Sequence, residues 1–250
     1  MFGALLLVSS AVFAADNSIY INQIGSTSTI NIKQDGSGNK IYGVGDSEGT
    51  AAIFSGSSQD IDIRQIGASN LLGIDVQSDV ASGVGIELTY IITGSNSVAS
   101  IDINGDGGGL AANNKIDIQM TGDYSDLIFD LLGSGNELTA TTTGGTLNDL
   151  TYDIDADDIN SVIAVSGGGG NKTTMTLGTD SSTVDYTGVG ASNQVTLTQS
   201  GTGGALGHNF DLDIIGSSNT VTTTQSGNAK YDTDINITGS TNTWTILQEQ

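Results

Sequence analysis

Two nearly identical stretches decide the fold of this chain: NQVTLTQSG at residues 193–201 and NTVTTTQSG at residues 219–227. A third, NTWTILQEQ at 242–250, keeps the same frame. Each begins with Asn, carries Gln six positions later, and alternates apolar with polar residues in between. Alternation with a period of two is typical of a β-strand with one buried face. Such strands, recurring at intervals of 26 and 23 residues, indicate stacked structural repeats.

A Gly-x-x-Asn pair recurs along the chain together with these strands. The pairs are Gly36/Asn39, Gly67/Asn70, Gly133/Asn136, Gly168/Asn171, Gly190/Asn193, Gly216/Asn219 and Gly239/Asn242. Because alternating segments lie on both sides of each pair, one repeat consists of strand, glycine turn, strand and turn. Two strands of ~5 to 6 residues with two tight turns make one coil of a flattened solenoid. We therefore predict an all-β fold, a β-solenoid of stacked two-strand coils with short glycine-rich turns.

The repeated amides share the parity of the buried positions. If Val195 and Leu197 point inward, then Asn193 and Gln199 point inward as well. A buried carboxamide is costly unless it is hydrogen-bonded, and coils in register let each amide bond to the amides above and below. The predicted stacking residues are Gln23, Gln34, Asn39, Gln65, Asn70, Asn136, Asn171, Asn193, Gln199, Asn219, Gln225, Asn242 and Gln248. The predicted turn glycines are Gly25, Gly36, Gly67, Gly133, Gly190, Gly216 and Gly239.

Composition and the first residues limit the class of protein. The chain has 28 acidic and 6 basic residues, and a net charge of −22 disfavours nucleic acid as a partner. The absence of Cys excludes disulfides and thiolate metal sites. Residues 1–15, MFGALLLVSSAVFAA, have the apolar run and small residues of a signal peptide, so residues 16–250 are expected to form one secreted domain. No other stretch approaches the ~18 apolar residues needed to span a bilayer.

We find no pattern that predicts catalysis, a metal site or a cofactor. His208, the single histidine, lies in a glycine-rich segment and is expected to be a solvated turn residue. Outward aspartates that recur at coil spacing either stay solvated or gather divalent cations. They are Asp62, Asp117, Asp185, Asp211 and Asp234. A second outward column is expected from the threonine pairs Thr139/Thr141, Thr174/Thr176, Thr196/Thr198 and Thr222/Thr224, followed by Thr245.

The repeat resembles that of the curlin subunits of bacterial curli, which follows the form Gln-x-Gly-x-x-Asn, then five residues and another Gln. Residues 65–70, QIGASN, and residues 34–39, QDGSGN, match the first part. The pairs Asn193/Gln199, Asn219/Gln225 and Asn242/Gln248 match the second part. The resemblance is weaker in the middle, where the coils at about residues 101–160 are expected to be irregular.

The resemblance implies a secreted subunit of an extracellular, amyloid-type fibre at the cell surface, with roles in adhesion and the biofilm matrix. The implied partners are copies of the same chain, other curli-like subunits and the secretion machinery. Two alternatives stay open. The threonine or aspartate columns fit an ice-binding or cation-binding β-solenoid adhesin, and stacked β-coils also occur in phage appendages.

Overall fold

The computed structural model describes residues 17–19, 21–24, 27–36, 38–41, 52–55, 58–67, 69–77, 85–94, 96–104, 113–157, 159–178, 182–200, 207–227 and 230–249. The predicted signal peptide at 1–15 and the predicted turn glycine Gly25 lie outside the described residues.

The described residues form β-strands joined by turns. The strands are β1 (Asn17–Ile19), β2 (Asn22–Ile24), β3 (Ser28–Asp35), β4 (Asn39–Ile41), β5 (Ala52–Ser55), β6 (Gln59–Ile66), β7 (Ser69–Gln77), β8 (Glu87–Thr93), β9 (Asn96–Asn104), β10 (Lys115–Thr121), β11 (Tyr124–Ser134), β12 (Glu137–Thr143), β13 (Leu147–Asp157), β14 (Ile159–Ser166), β15 (Gly170–Leu177), β16 (Ser182–Val189), β17 (Ser192–Ser200), β18 (His208–Ile215), β19 (Ser218–Ser226), β20 (Tyr231–Thr238) and β21 (Thr241–Glu249).

The strands assemble into two parallel sheets. The larger sheet has the order β1-β4-β7-β9-β11-β13-β15-β17-β19-β21, with β2 and β5 paired beside this path. The smaller sheet has the order β20-β18-β16-β14-β12-β10-β8-β6-β3. From β6 onward, successive strands alternate between the two sheets. Each pairs with the strand one coil earlier, and each except β20 and β21 also pairs with the strand one coil later. The predicted all-β solenoid is therefore confirmed.

The core lies between the two sheets and is filled by the inward residues of each strand. In β18, Phe210 and Leu212 are buried whereas Asp211 between them is exposed. Residues one coil apart occupy equivalent positions, as with Leu127 and Leu150. Burying such a side chain contributes roughly 1.5–3 kcal/mol, and much of that burial depends on the neighbouring coil. Stacking is thus what makes each coil stable.

The segment at 101–160, predicted to be irregular, has a regular backbone wherever it is described. Its strands β10 to β13 occupy the same two sheets, and Asn148 pairs in register with Asn171. What varies there is the side chains. Phe129 and Tyr152, with ring centroids 6.2 Å apart, fill part of this interior. Apolar packing requires the right volume more than particular residue types, so the repeat becomes invisible in sequence while the backbone continues.

Candidate assembly interface

One turn in each coil brings a glycine against the glycine of the neighbouring coil. This turn leads from the smaller sheet to the larger sheet, and its glycine directly follows the smaller-sheet strand. The column consists of Gly36, Gly67, Gly94, Gly122, Gly144, Gly167, Gly190, Gly216 and Gly239. A Cβ on Gly216 would overlap the carbonyl oxygen of Gly190 and would lie 2.6 Å from Oδ1 of Asn219. Any side chain there would force adjacent coils apart.

The glycine column includes five predicted turn glycines and four that the motif search missed. Gly36, Gly67, Gly190, Gly216 and Gly239 lie where they were predicted, in turns. The four missed members depart from Gly-x-x-Asn in two ways. Gly94 and Gly122 have Ser three positions later, and Gly144 and Gly167 have Asn four positions later. A glycine immediately after an alternating segment is the sequence signal that would have found all four.

The prediction of Gly133 as a turn glycine is wrong, whereas Asn136 does stack on the neighbouring coil, but at a different corner from the other predicted asparagines. Gly133 is buried within β11, where it pairs with Ala156, so it is not the turn of its coil. Asn136 lies at the opposite corner, just before β12, and its Oδ1 accepts a hydrogen bond from the backbone N–H of Asn114 at 3.2 Å. The Gly-x-x-Asn motif does not mark the same turn here, because the register of β11 puts this segment at the return turn from the larger sheet to the smaller sheet.

Asparagines form a continuous ladder beside the glycine column in the C-terminal coils. In this asparagine ladder, each Nδ2 donates to Oδ1 of the next Asn: from Asn148 to Asn171 at 2.8 Å, to Asn193 at 2.8 Å, to Asn219 at 3.0 Å and to Asn242 at 3.0 Å. Asn148 was missed in the sequence because of the extra turn residue. Since the inner members have amide partners above and below, the cost of burying them is offset.

The backbone of the next coil also binds these amides. Nδ2 of Asn193 donates to the carbonyl oxygen of Ile215 at 3.2 Å, and the same oxygen accepts the backbone N–H of Gly190 at 3.0 Å. Nδ2 of Asn39 makes the equivalent bond to Ile66 at 3.1 Å. The asparagine therefore links the glycine turns of consecutive coils, which explains why the two residue types recur together.

The asparagine column is interrupted towards the middle of the chain. Asn70, Ser97 and Ser125 occupy the equivalent positions in β7, β9 and β11, and all three are buried. Within the described ranges their side chains have no hydrogen-bond partner. The central coils therefore lack the amide chain that connects the C-terminal coils.

The glutamines form two short ladders on different sheets. In the larger sheet, Nε2 of Gln225 donates to Gln199 and Nε2 of Gln248 donates to Gln225, both at 2.8 Å. In the smaller sheet, Nε2 of Gln65 donates to Gln34 at 2.7 Å. The Gln that precedes the glycine thus belongs to one sheet, and the Gln that follows the asparagine belongs to the other.

Two of these ladders reach the edge of the larger sheet at β21. Among the described strands β21 pairs with β19 alone, and all nine of its residues are exposed. Trp244 is 64% exposed and Ile246 is 47% exposed, although they continue inward columns. The donors point towards later coils in the asparagine ladder and towards earlier coils in the glutamine ladder. The edge therefore offers an amide donor at Asn242 and a carbonyl acceptor at Gln248.

The opposite edge of the larger sheet, formed by β1 and β2, carries amides at the same spacing. Asn17 in β1 is in register with Asn39, and Gln23 in β2 is in register with Phe54. These positions continue the column of the asparagine ladder and that of the larger-sheet glutamine ladder. Asn17 and Gln23 are six residues apart, as are Asn242 and Gln248. The two edges of the larger sheet thus match in spacing.

The aspartate column predicted on the smaller sheet is present but interrupted. Its five predicted members share one outward column, with Thr89, Thr139 and Val162 between them. Only Asp185, Asp211 and Asp234 are adjacent. Among the described residues, no group of three or more His, Asp or Glu side chains is arranged to hold a metal ion.

A longer run of aspartates, which the sequence analysis missed, lies on the larger sheet. Asp75, Asp102, Asp130 and Asp153 stack in consecutive coils and form an aspartate ladder. Burial, then the charges of Asp130 and Asp75, raise the pKa of Asp102 to about 6. Like charges directly opposite each other destabilise a sheet. This ladder is therefore a repulsive element within the fold.

Threonines cover the outward side of the larger sheet in the C-terminal coils. Thr174, Thr196, Thr222 and Thr245 form one column, and Thr176, Thr198 and Thr224 form the next. Thr139 and Thr141 lie on the smaller sheet instead, so their assignment to this column is wrong. The reason is the same change of phase that displaces Asn136.

His208 is buried, contrary to the prediction of a solvated turn residue. It begins β18 with 2% of its surface exposed, and its Nδ1 lies 2.8 Å from Oγ of Ser182 in the preceding coil. Nε2 of Gln199 donates to the same hydroxyl at 3.5 Å. The glycine-rich segment before it gave no sign that a strand begins at residue 208. The alternation of β18 then places this residue on the inward side.

Comparisons with known proteins identify no relative. In the part of the chain that the structure describes, no helix is long and apolar enough to cross a membrane. No family model matches the chain, and no curated protein or solved structure matches it either. The geometry of the ladders and of the exposed edge is therefore the basis for any functional conclusion.

Proposed function

We propose that this protein is a structural subunit that polymerises with copies of itself into an extracellular fibre of the curli type. The observation that carries the proposal is the pair of amide ladders that reach the exposed edge strand β21. An exposed strand with unpaired backbone groups is a template for pairing with another chain. In-register amide ladders are the side-chain arrangement that stabilises such pairing in cross-β assemblies.

The first coil of a second copy fits this edge in register. If β21 of one subunit pairs with β1 and β2 of the next, Asn242 lies opposite Asn17 and Gln248 lies opposite Gln23. Between them, Trp244 and Ile246 meet Ile19 and Ile21, which are half-buried in the isolated subunit. The two amide pairs repeat those already present between β19 and β21. Joining heterologous edges in this way generates an open filament, because the operation does not close on itself.

The resemblance of the repeat to curlin subunits supports the same conclusion and adds a location. A secreted subunit would polymerise at the cell surface, where a fibre of this kind contributes to adhesion and to the biofilm matrix. The implied partners are other copies of the chain, related subunits and the secretion machinery.

Filament growth by the purified protein tests the proposal. We expect dye-binding, detergent-resistant filaments by electron microscopy, with strands ~4.8 Å apart along the fibre axis. Replacing both Asn242→Leu and Gln248→Leu should slow seeded growth at least roughly tenfold, since two buried amide partners would be lost per joint. The matched control is Thr243→Leu with Thr245→Leu, which changes outward positions of the same strand. Equal growth rates for the two double variants would contradict the mechanism.

A further inference from the structure

In the C-terminal coils, the outward side of the larger sheet carries far fewer charged residues than the outward side of the smaller sheet. On β15, β17, β19 and β21 the outward residues are almost all Thr, Ser or Gln. The charged exceptions there are Lys172, which binds Asp149 at 3.0 Å, and Glu249. We call this area the threonine face. It is uncharged over most of its extent, in a chain whose net charge is −22.

The smaller sheet of the same coils is strongly acidic. Its outward positions on β16, β18 and β20 carry Asp185, Asp211, Asp213, Asp232 and Asp234, all exposed. Two copies of this chain that approached through that sheet would bring these carboxylates together. The threonine face is the side of the C-terminal coils on which two copies can meet without that repulsion.

We propose that the outward side of the larger sheet pairs with the same side of a second copy in a neighbouring filament, with the threonine face making the contact and the aspartate ladder making it depend on pH. Threonine side chains are short and uncharged, and here they recur at strand spacing. Two such faces can therefore approach closely, as side chains do in dry interfaces between cross-β sheets. The proposal rests on the proposed fibre, because the filament supplies the repetition that the contact needs.

The size of the threonine face explains why the filament is required. Four strands ~4.8 Å apart, each contributing ~7 residues at ~3.3 Å, cover roughly 400 Å². A stable interface buries about 800 Å² on each partner. One pair of subunits would therefore dissociate readily, whereas many contacts along two filaments add together.

The aspartate ladder lies on the same side of the same sheet. When two parallel filaments pair with their subunits at the same height, the threonine faces meet and the aspartate ladders of the two filaments meet as well. Asp102 on β9 faces Asp75 on β7 and both Asp126 and Asp130 on β11, and β9 itself carries no other charged residue. Two lysines lie on this side among the described residues: Lys40 on β4, which pairs with β7, and Lys172, which binds Asp149. All four stacked positions of the ladder are carboxylates, so two ladders that approach each other bring like charges together.

The direction of the pH effect follows from the raised pKa of Asp102, which lies at about 6. Above that pH Asp102 is charged and repels its counterpart in the other filament. As the pH falls through about 6, Asp102 takes up a proton, the negative charge of the ladder decreases, and the paired arrangement becomes more favourable. Filaments should thus be single at neutral pH and paired in mildly acidic solution.

Electron microscopy with mass-per-length measurement at pH ~7.5 and ~5 tests this inference. The unmodified protein should show about a twofold rise in mass per length on acidification. Thr198→Lys with Thr222→Lys should abolish the rise, whereas Thr183→Lys with Thr187→Lys, which adds equal charge to the smaller sheet, should leave it intact. Asp102→Asn with Asp130→Asn should give paired filaments already at neutral pH. Its charge-matched control, Asp185→Asn with Asp211→Asn, should not.

Three outcomes would overturn the inference, and they are distinguishable. Filaments of one width in every variant at both pH values would contradict pairing alone and leave the proposed fibre standing. Thermal hysteresis that is lost in Thr198→Lys with Thr222→Lys, while filaments stay single, would assign the threonine face to ice. Absence of filaments under all conditions would contradict the proposed fibre, and pairing would fall with it.

Discussion

The central coils and the C-terminal coils have the same backbone but different interiors. In β8 to β14 the inward positions hold mainly apolar and aromatic residues, among them Tyr90, Phe129 and Tyr152. In β15 to β21 amide ladders run beside a smaller apolar core, from Asn171 and Gln199 outward to the edge. Apolar packing and amide ladders thus support the same strand register in different parts of the solenoid.

The difference shows which interactions require a repeated sequence. An amide in a ladder needs another amide at one height, so Asn and Gln must recur at fixed positions. An apolar interior tolerates many combinations of similar total volume. The C-terminal coils therefore look like repeats in sequence, and the central coils look irregular although β13 pairs with β15 without a break.

The glycine column should be the feature that both regions need most. We expect Gly216→Ala to destabilise the protein by roughly 3–5 kcal/mol, because its Cβ would collide with the backbone of Gly190. Gly168→Ala is the matched control, since a Cβ there meets only the carbonyl oxygen of Gly145, at 3.9 Å. Urea unfolding of both variants measures the difference. Similar midpoints would show that the close approach of the coils is not a constraint.

The asparagine ladder should contribute next most, and only in the C-terminal coils. Asn193→Leu removes bonds to Asn171, Asn219 and Ile215, leaving buried groups without these partners, so we expect a loss of about 3 kcal/mol. The neighbouring outward substitution Gln194→Leu should change the free energy of unfolding by less than about 0.5 kcal/mol. If calorimetry ranks the two variants the other way round, the ladder is not what stabilises these coils.

Two buried tyrosines sharpen the comparison with the smallest expected effects. The hydroxyl of Tyr186 lies 2.9 Å from Oγ1 of Thr173, whereas that of Tyr152 has no hydrogen-bond partner among the described residues. Burial raises the pKa of both. Tyr186→Phe should cost about 1–2 kcal/mol, and Tyr152→Phe should be neutral or slightly stabilising. Thermal unfolding should therefore give a lower midpoint for Tyr186→Phe than for Tyr152→Phe, and a larger loss for Tyr152→Phe would speak against this account.

Much of the fold was predictable because the amide ladders require Asn and Gln at fixed positions in the sequence. The solenoid, the inward parity of Asn193 and Gln199, and the turns at Gly190 and Gly216 all follow from the repeated frame. The missed glycines show the limit of a motif search. Gly94 is followed by Ser97 where an asparagine was sought, and one extra residue separates Gly144 from Asn148.

The errors have a common physical cause, which is that a short motif does not show at which corner of the coil it lies. Gly133 and Asn136 satisfy the motif, yet the strands around them are offset by half a coil. His208 was expected in a solvated turn because glycines precede it, yet it is the first residue of β18 and points inward. Only the pairing of whole strands fixes which corner of the coil a residue occupies.

The sequence by itself indicated stacked two-strand coils, because strands stacked in register satisfy the hydrogen bonds of repeated buried amides. The tertiary structure decided which residues from distant coils become neighbours. It stacked Asp75, Asp102, Asp130 and Asp153 into one ladder and placed it on the same side as the threonine face. These aspartates are separated by unequal intervals along the chain, and only the register of the parallel sheet, fixed by backbone pairing, brings them together.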